Sequence, residues 1–215
     1  MIGDKLVITE FHHNAAKQVL PEVLKLLETQ DKVAVSIAGE SGCGKTELAE
    51  CLSESLENVG KTSLILGQDD YFKLPPKTNH QTRLKDLGWV GTNEVHLDQM
   101  NDHIKALKET PKEAVVKPLV NFDEDNIGTE TIRCRDTDVI IAEGTYTTLL
   151  DAVDIRVFIN RTYHQTRKNR LLRNRDSDQD FLEHVLEIEH KEISSHRPKA
   201  TIVIAPPADD IESPN

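Results

Sequence analysis

Residues 32–46 read KVAVSIAGESGCGKT, and this stretch decides the fold. Residues 32–38 are apolar and rich in β-branched side chains, which predicts a buried strand. Residues 39–46 match G-x-x-x-x-G-K-[ST], the phosphate-binding P-loop, and a helix is predicted over residues 45–59. A strand, a glycine-rich turn and a helix N-terminus in this order are the context that the motif requires.

The loop predicts a site for a nucleoside triphosphate. Backbone N–H groups of the turn and the positive end of the helix macrodipole can converge on phosphate oxygens. We expect Lys45 to bridge the β- and γ-phosphates of ATP and the Thr46 hydroxyl to take one position on Mg²⁺. A plain glycine turn with an exposed lysine is the alternative. The predicted nucleotide-binding residues are Gly39, Glu40, Ser41, Gly42, Cys43, Gly44, Lys45 and Thr46.

Around this unit, apolar β-branched runs alternate with segments of helical periodicity, which is typical of an α/β fold with a mostly parallel sheet. The 215 residues are expected to form one domain, with its core at about 30–205 and a loose tail at 206–215. A helix is expected over residues 14–29, with a kink or a new start at Pro21. The other predicted strands are 62–66, 139–142, 155–159 and 201–204, and the other predicted helices are 97–108, 163–175 and 178–194.

Composition excludes several classes of partner. Thirty-seven acidic residues against 26 Lys and Arg give a net charge of −11, which opposes general affinity for nucleic acid or for an anionic membrane. No run approaches the ~18 apolar residues that a membrane-spanning helix needs. The N-terminus has no apolar stretch behind a basic segment, so we expect no signal peptide and a cytoplasmic protein.

Cys43, Cys51 and Cys134 are too few and too scattered for a disulfide framework or a zinc site. Cys43 lies within the P-loop beside a helix N-terminus, a setting that favours the thiolate. Its oxidation is therefore a hypothesis for blocking ATP entry, and the alternative is a small residue that merely fits.

Acidic residues end two of the predicted strands. Glu143 closes the run DVIIAE, and a strand beside the P-loop would deliver its carboxylate to the Mg²⁺ shell. Asp69 and Asp70 follow the strand at 62–66, and one of them is a candidate general base for an attacking hydroxyl. Because adjacent residues at a strand end point to opposite faces, only one can face the P-loop. Solvated strand ends or helix caps are the alternatives, and we expect Asp70 to cap or to be solvated.

Basic residues are scarce but concentrate between positions 161 and 175. On a helix, Arg167, Arg170 and Arg173 are spaced three apart and share a face, which suggests a phosphate clamp. A solvated face neutralised by nearby acids is the alternative.

Residues 73–94 are polar and rich in Pro, Gly, Asn and Thr, which predicts an irregular loop that is functional or disordered. His80, Arg83 and Trp89 are candidates for an acceptor pocket within it, and structural packing of the tryptophan is the alternative.

Residues 113–120 and 129–135 alternate in polarity and predict a hairpin with an acidic turn at 121–128. The hairpin is expected to form a small flap beside the main sheet.

The order of the motifs resembles that of the uridine kinase and phosphoribulokinase family of P-loop kinases. The resemblance runs from about residue 33 to residue 204 and rests on GESGCGKT, QDDYF, KPxxxF, IIAEGTY, RxxRLLRNRD and a terminal ATIVI strand. It implies a five-stranded parallel sheet with helices on both faces, Asp69 as catalytic base and Glu143 as the magnesium-associated acid. It also implies that the lid and acceptor-site arginines are Arg167, Arg170, Arg173 and Arg175. Taken with the candidate pocket at 73–94, the predicted acceptor-binding residues are Asp69, Tyr71, Arg83, Phe122 and Arg175.

The segment PLVNFDED at 118–125 departs from the P-x-Y-D-F-x-x-H pattern with which uridine–cytidine kinases read the pyrimidine, and it keeps only the Pro and the Phe. Residues 88–98 match only loosely the stretch that holds the ribose hydroxyls in that family. The first hypothesis is an ATP-dependent kinase of a nucleoside-like acceptor. A non-nucleoside acceptor, such as a sugar phosphate or a pantothenate-like compound, is the alternative within the same class. A nucleotide-gated regulatory ATPase is the alternative from another class, and a homo-oligomer stays open.

Overall fold

A computed structural model describes residues 6–109, 114–133, 137–167, 170 and 179–207. Its strands are β1 (Val33–Gly39), β2 (Ser63–Gly67), β3 (Ala114–Asn121), β4 (Asn126–Arg133), β5 (Val139–Glu143), β6 (Ile155–Ile159) and β7 (Ile202–Ile204). Five of them form one parallel sheet, in the order β2-β5-β1-β6-β7, and the other two form an antiparallel hairpin.

Helices cover both faces of the sheet. The helices are α1 (Glu10–Leu27), α2 (Lys45–Glu57), α3 (Pro76–Lys85), α4 (Leu97–Glu109) and α5 (Gln179–Ser194). On one face, α1 and α2 pack over β1 through residues such as Val19 and Leu52. On the other face, α4 contributes Met100 and Ile104 to a second core, which Ile193 of α5 joins. The predicted fold class is confirmed.

The register of the central strands determines where the site lies. β5 pairs with β1 so that Glu143 lies opposite Ile37, and it pairs with β2 so that Glu143 lies opposite Gly67. The carboxyl ends of all three strands therefore meet at one edge of the sheet, where ligands bind in open α/β folds.

All predicted strands of the main sheet form, with bounds that differ by at most one residue. The first helix begins at Glu10, four residues earlier than predicted, and continues through Pro21 without a new start. Its N-terminus is closed by Thr9, whose backbone N–H donates to His12 Nδ1 (3.0 Å). Within the described part of the chain, no helix is long and apolar enough to cross a membrane.

The expectation of an irregular loop at 73–94 is wrong. The segment contains α3 and two short 3₁₀ turns, Leu87–Trp89 and Thr92–Glu94. Helix α3 has no apolar face, so periodicity did not reveal it. Its stability comes from Pro76 in the first turn and from Asp125, which accepts the backbone N–H of Lys77 (2.6 Å).

The predicted hairpin forms, but β3 ends one residue later and β4 begins three residues earlier than expected, so its turn comprises only residues 122–125. Asp70 fastens the hairpin to the sheet edge. Its carboxylate pairs with Lys117 Nζ (2.6 Å) and accepts the backbone N–H of Val120 (3.1 Å). Asp70 is buried, so the expectation that it caps or is solvated is wrong.

The Asp70–Lys117 pair predicts a stability effect. Both side chains are only 6% exposed, so Lys117→Met would leave a buried carboxylate without its cation. We expect the free energy of unfolding, measured by urea denaturation, to fall by about 3 kcal/mol. The control is Lys105→Met, which removes an exposed partner of Asp102 and should cost less than about 1 kcal/mol. Equal losses for the two variants would contradict a structural role for the buried pair.

Candidate active site

The P-loop forms the turn between β1 and α2. Gly44 is the N-cap of α2 at φ +101°, a left-handed conformation that favours glycine. Gly42 also has a positive φ (+74°), and a Cβ there would lie 2.9 Å from Arg170 Cγ. These two positions need glycine for conformation and for the close approach of the loop to its neighbours.

Lys45 begins α2, and its side chain folds back over the loop, where Nζ donates to the backbone carbonyl of Glu40 (3.0 Å). Burial alone would lower the pKa of Lys45. The acidic groups of Cys43, Glu143 and Asp69 act in the opposite direction, and the pKa is raised. Lys45 is therefore expected to carry its positive charge.

Asp69 and Glu143 both lie at the carboxyl edge of the sheet, Asp69 just after β2 and Glu143 at the end of β5. Asp69 lies in a 3₁₀ turn, Gln68–Tyr71, so the strand alternation used to separate it from Asp70 does not apply. Burial raises the pKa of Asp69, and Lys45 partly opposes this. Burial, with the charge of Asp69, raises the pKa of Glu143 to about 7. The structure thus brings together the predicted base, the predicted metal-associated acid and the P-loop lysine.

The donor set fits Mg²⁺. Among the described residues, no group of three or more His, Cys, Asp or Glu could hold a metal ion alone. Mg²⁺ does not require one, because it takes one or two protein carboxylates and completes its shell with waters and phosphate oxygens. The Thr46 hydroxyl at the start of α2 and the Glu143 carboxylate are hard oxygen donors at the same strand edge.

Two P-loop residues, Glu40 and Ser41, connect the loop to neighbouring parts of the structure. The buried carboxylate of Glu40 accepts the backbone N–H of Tyr163 (2.6 Å) and bonds to His190 Nδ1 (2.8 Å) of α5. The carbonyl of Ser41 accepts the Thr166 hydroxyl (2.8 Å). The Glu40 side chain therefore points away from the phosphate cradle, so only its backbone is available to line that cradle.

Cys43 is fully buried, and burial raises the pKa of its thiol, although Lys45 and Arg161 oppose the change. The expectation of a thiolate is therefore wrong, because desolvation outweighs the nearby positive charges. Cys51 is also a buried free thiol, and Cys134 lies outside the described residues.

Two of the predicted lid arginines are described. Arg170 donates to the carbonyl of Tyr163 and to the Thr166 hydroxyl, and it pairs with Glu183 (3.4 Å). Arg167 is 65% exposed and lies 3.7 Å from the same Glu183. Both arginines are therefore linked to α5 beside the P-loop. Arg173 and Arg175, and most of the helix predicted at 163–175, lie outside the described residues.

A polar network flanks Asp69 on the side of α3. Arg83 Nε donates to Glu94 Oε2 (2.7 Å) and Arg83 Nη2 lies 3.3 Å from Glu189 Oε1 of α5. Glu94 is fully buried and also binds Asn79, whose Oδ1 accepts the indole N–H of Trp89 (2.7 Å). Of the three residues that were expected to form a pocket within 73–94, Arg83 and Trp89 belong to this network.

His80 packs against Phe181 instead, with 5.5 Å between ring centroids. Tyr71 is fully buried, and its hydroxyl bonds to His103 Nδ1 (3.0 Å), so it lies in the core beneath the site. Phe122 lies in the hairpin turn and is 36% exposed. Neither Tyr71 nor Phe122 belongs to the network around Arg83.

Sequence reasoning missed Glu94, Glu189 and Tyr146. Glu189 carried a usable signal, because the buried positions of α5 include Val185, Glu189 and Ile193, spaced by four. An acid on the apolar face of a helix needs a partner. Tyr146 ends the IIAEGTY motif, which pointed to the family but not to a role for this side chain, and Glu94 carried no comparable signal.

Comparison with known proteins shows the family to which this sequence is related. The family model described as the Phosphoribulokinase / Uridine kinase family matches residues 34–206. A bifunctional alpha-galactosidase/sucrose kinase of Mediterraneibacter gnavus is 29% identical over 189 residues, which are 81% of this chain and 20% of that protein. The uridine kinase of Bacillus pumilus is 30% identical over 60% of each chain. That of Anoxybacillus flavithermus is 30% identical over 72% of this chain and 73% of its own.

Solved structures share the fold. A possible uridine kinase from Bacillus stearothermophilus has a TM-score of 0.63 at 19% identity and covers 89% of this chain and 98% of its own. The phosphoribulokinase from Rhodobacter spheroides has a TM-score of 0.62 at 10% identity and covers 81% and 70%. With the family model matching from residue 34 to residue 206 and a P-loop at the carboxyl edge of a five-stranded parallel sheet, the chain belongs to the phosphoribulokinase/uridine kinase family.

Proposed function

We propose that this protein is an ATP-dependent kinase that transfers the γ-phosphoryl group of ATP to a hydroxyl of a small acceptor. The observation that carries the proposal is the meeting of Lys45, Asp69 and Glu143 at one sheet edge, where Lys45 is influenced by both carboxylates. A kinase needs a cation on the phosphates and a base at the attacking hydroxyl. The family relatives named as kinases support the same class of reaction.

In the proposed mechanism, the acceptor oxygen forms a bond to the γ-phosphorus while the bond to the β–γ bridging oxygen breaks. Lys45 offsets the negative charge that gathers on the bridging oxygen. Asp69 orients the acceptor hydroxyl and takes its proton, and its raised pKa makes it a better base than a solvated carboxylate. Thr46 and Glu143 would hold Mg²⁺, which would neutralise negative charge on the β- and γ-phosphates.

Arg170 and Arg167 are proposed to act as lid residues on the phosphates. Both pair with Glu183, which restrains them next to the P-loop. Arg173 and Arg175, which lie outside the described residues, are proposed as further lid and acceptor-site arginines.

For the acceptor, a nucleoside-like compound is supported by the several uridine kinases among the relatives. A carbohydrate is the second candidate, because the relative named for sucrose kinase aligns with 81% of this chain. Both offer ring hydroxyls to the same base. A regulatory ATPase would instead hydrolyse ATP without an acceptor, whereas a good kinase suppresses hydrolysis until its site closes.

Asp69→Asn tests the base. The amide keeps the shape of the side chain and removes its basicity, so acceptor-dependent turnover should fall by roughly 10²–10⁴ while ATP binding persists. Turnover is measured by ADP release with a panel of nucleosides and sugars, and ATP binding by calorimetry.

The matched control is Asp70→Asn, compared at equal folded fraction because it weakens the buried pair with Lys117. Its turnover per folded molecule should stay within a few-fold of wild type. If Asp70→Asn is the inactive variant, the two roles are exchanged, and if neither variant loses activity the mechanism is wrong.

Lys45→Ala tests the phosphate site. Loss of the point charge should reduce phosphoryl transfer by orders of magnitude, because transition-state stabilisation here is almost entirely electrostatic. The control, Lys61→Ala, removes a lysine paired with Asp138 at the far end of the strands and should leave turnover unchanged. A folded Lys45→Ala protein with turnover near that of wild type would eliminate the P-loop assignment.

A further inference from the structure

We propose that the first turn of α1 contributes to the nucleotide site, with Phe11 and His12 as positioning residues that hold the Cys43–Gly44 peptide of the P-loop in its phosphate-binding conformation. The inference rests on the proposed function, because it concerns the ATP site of the proposed kinase. Helix α1 precedes residues 34–206, the span that matches the family model, so this role does not follow from the family match.

Helix α1 is fixed on the core that carries the P-loop. Its residues Ala15, Ala16 and Val19 are buried in the same hydrophobic cluster as Leu48 and Leu52 of α2. Because α2 begins within the P-loop, the packing of α1 on α2 determines where the first turn of α1 lies relative to that loop.

The ring of His12 is held in one orientation by the cap of its own helix. The backbone N–H of Thr9 donates to His12 Nδ1 (3.0 Å), and the Thr9 hydroxyl lies 3.1 Å from the same nitrogen. A backbone N–H can only donate, so Nδ1 accepts and carries no proton. This bond ties Nδ1 to the cap and leaves the opposite edge of the ring, Nε2 and Cδ2, facing the P-loop.

That edge of His12 lies against Gly44. A Cβ at position 44 would collide with Nε2 and lie 2.9 Å from Cδ2, so the buried ring occupies the space that a side chain would need. Gly44 has a φ of +101° and is the N-cap of α2, where backbone N–H groups are expected to bind phosphate. In a closely packed interior, the ring leaves the Gly44 backbone little room to depart from this conformation.

Phe11 acts on the same peptide through Arg161. The guanidinium carbon of Arg161 lies 5.3 Å from the centre of the Phe11 ring, within the range of a cation–π interaction. Its Nη1 donates to the backbone carbonyl of Cys43 (3.4 Å). In a planar trans peptide the C=O and the N–H point in opposite directions, so a donor on the Cys43 carbonyl also sets the direction of the Gly44 N–H. Arg161 thereby orients one of the donors expected to bind phosphate.

These contacts would order the phosphate-binding peptide before ATP arrives. Binding is weaker when the groups that contact a ligand must first be ordered, because part of the interaction energy offsets the lost conformational freedom. The first turn of α1 should therefore affect the affinity for nucleotides whose phosphates enter the P-loop. It should not affect the affinity for the acceptor.

The experiment measures binding of Mg·ATP and Mg·ADP to the full chain by calorimetry and records the melting temperature of each variant. His12→Gln keeps a side chain that can accept the Thr9 N–H in a capping box, and it removes the ring from Gly44. We expect its Kd for both nucleotides to rise about tenfold, with the acceptor KM in the ADP-release assay unchanged. Phe11→Leu keeps an apolar side chain and removes the aromatic face beside Arg161, so its Kd should rise about threefold.

His13→Gln is the matched control, because it makes the same substitution at the next position of α1, where the side chain is exposed. Its nucleotide affinity should equal that of wild type. Equal affinities of His12→Gln and His13→Gln would overturn the inference, as would a lower melting temperature of His12→Gln with no change in Kd. If His12→Gln is unfolded at the temperature of the titration, Phe11→Leu decides by the same comparison with His13→Gln.

Two further outcomes separate this inference from the proposed function. A wild-type protein that binds no Mg·ATP would refute both. The expected differences in Kd, together with no phosphoryl transfer to any acceptor, would support the role of α1 and refute the proposed function.

Discussion

The parallel pairing of β5 between β1 and β2 is the constraint on which the rest of the structure depends. It places Glu143 opposite Ile37 on one side and Gly67 on the other, so one acid stands between the start of the P-loop and the turn that carries Asp69. A shift by one residue would turn the side chains of β5 to the opposite faces of the sheet. Because the apolar run of β5, residues 139–142, is flanked by Asp138 and Glu143, such a shift would also draw one of these acids into the buried part of the sheet, which disfavours it.

Charge compensation is the second requirement at this edge. Lys45, Asp69 and Glu143 are partly buried at this edge, where an unpaired charge is costly and the effect of a nearby opposite charge is larger than in water. Elements outside the sheet hold the surrounding parts in position. Glu40 connects the P-loop to α5, and Asp70 connects the hairpin to the turn that carries Asp69. The adjacent residues Asp69 and Asp70 thus have different roles. Asp69 belongs to the candidate site, and Asp70 holds the hairpin in place.

The sequence was most informative where local pattern alone determines structure. Residues 33–46 predicted a strand, a phosphate loop and a helix because β-branched runs and glycine spacing are local signals. The sequence was least informative where the partner of a residue lies far away along the chain. Helix α3 depends on Asp125 from the hairpin turn, so its own composition suggested a loop. Asp70 was misread because its partner, Lys117, is 47 residues away. Cys43 was misread because its position at a helix N-terminus can be seen in the local sequence, whereas its burial, which raises the pKa of the thiol, comes from tertiary packing.

The central claim is that the γ-phosphoryl group leaves ATP for an acceptor oxygen at the Lys45–Asp69 edge. The most direct measurement follows the label of γ-³²P-ATP with Mg²⁺ and a panel of sugars and nucleosides, and compares wild type with Asp69→Asn. The account predicts label in a phosphate ester of one acceptor, little free phosphate when acceptor is absent, and loss of the ester in the variant. Label that appears only as inorganic phosphate, at a rate independent of every acceptor and of Asp69, would contradict it.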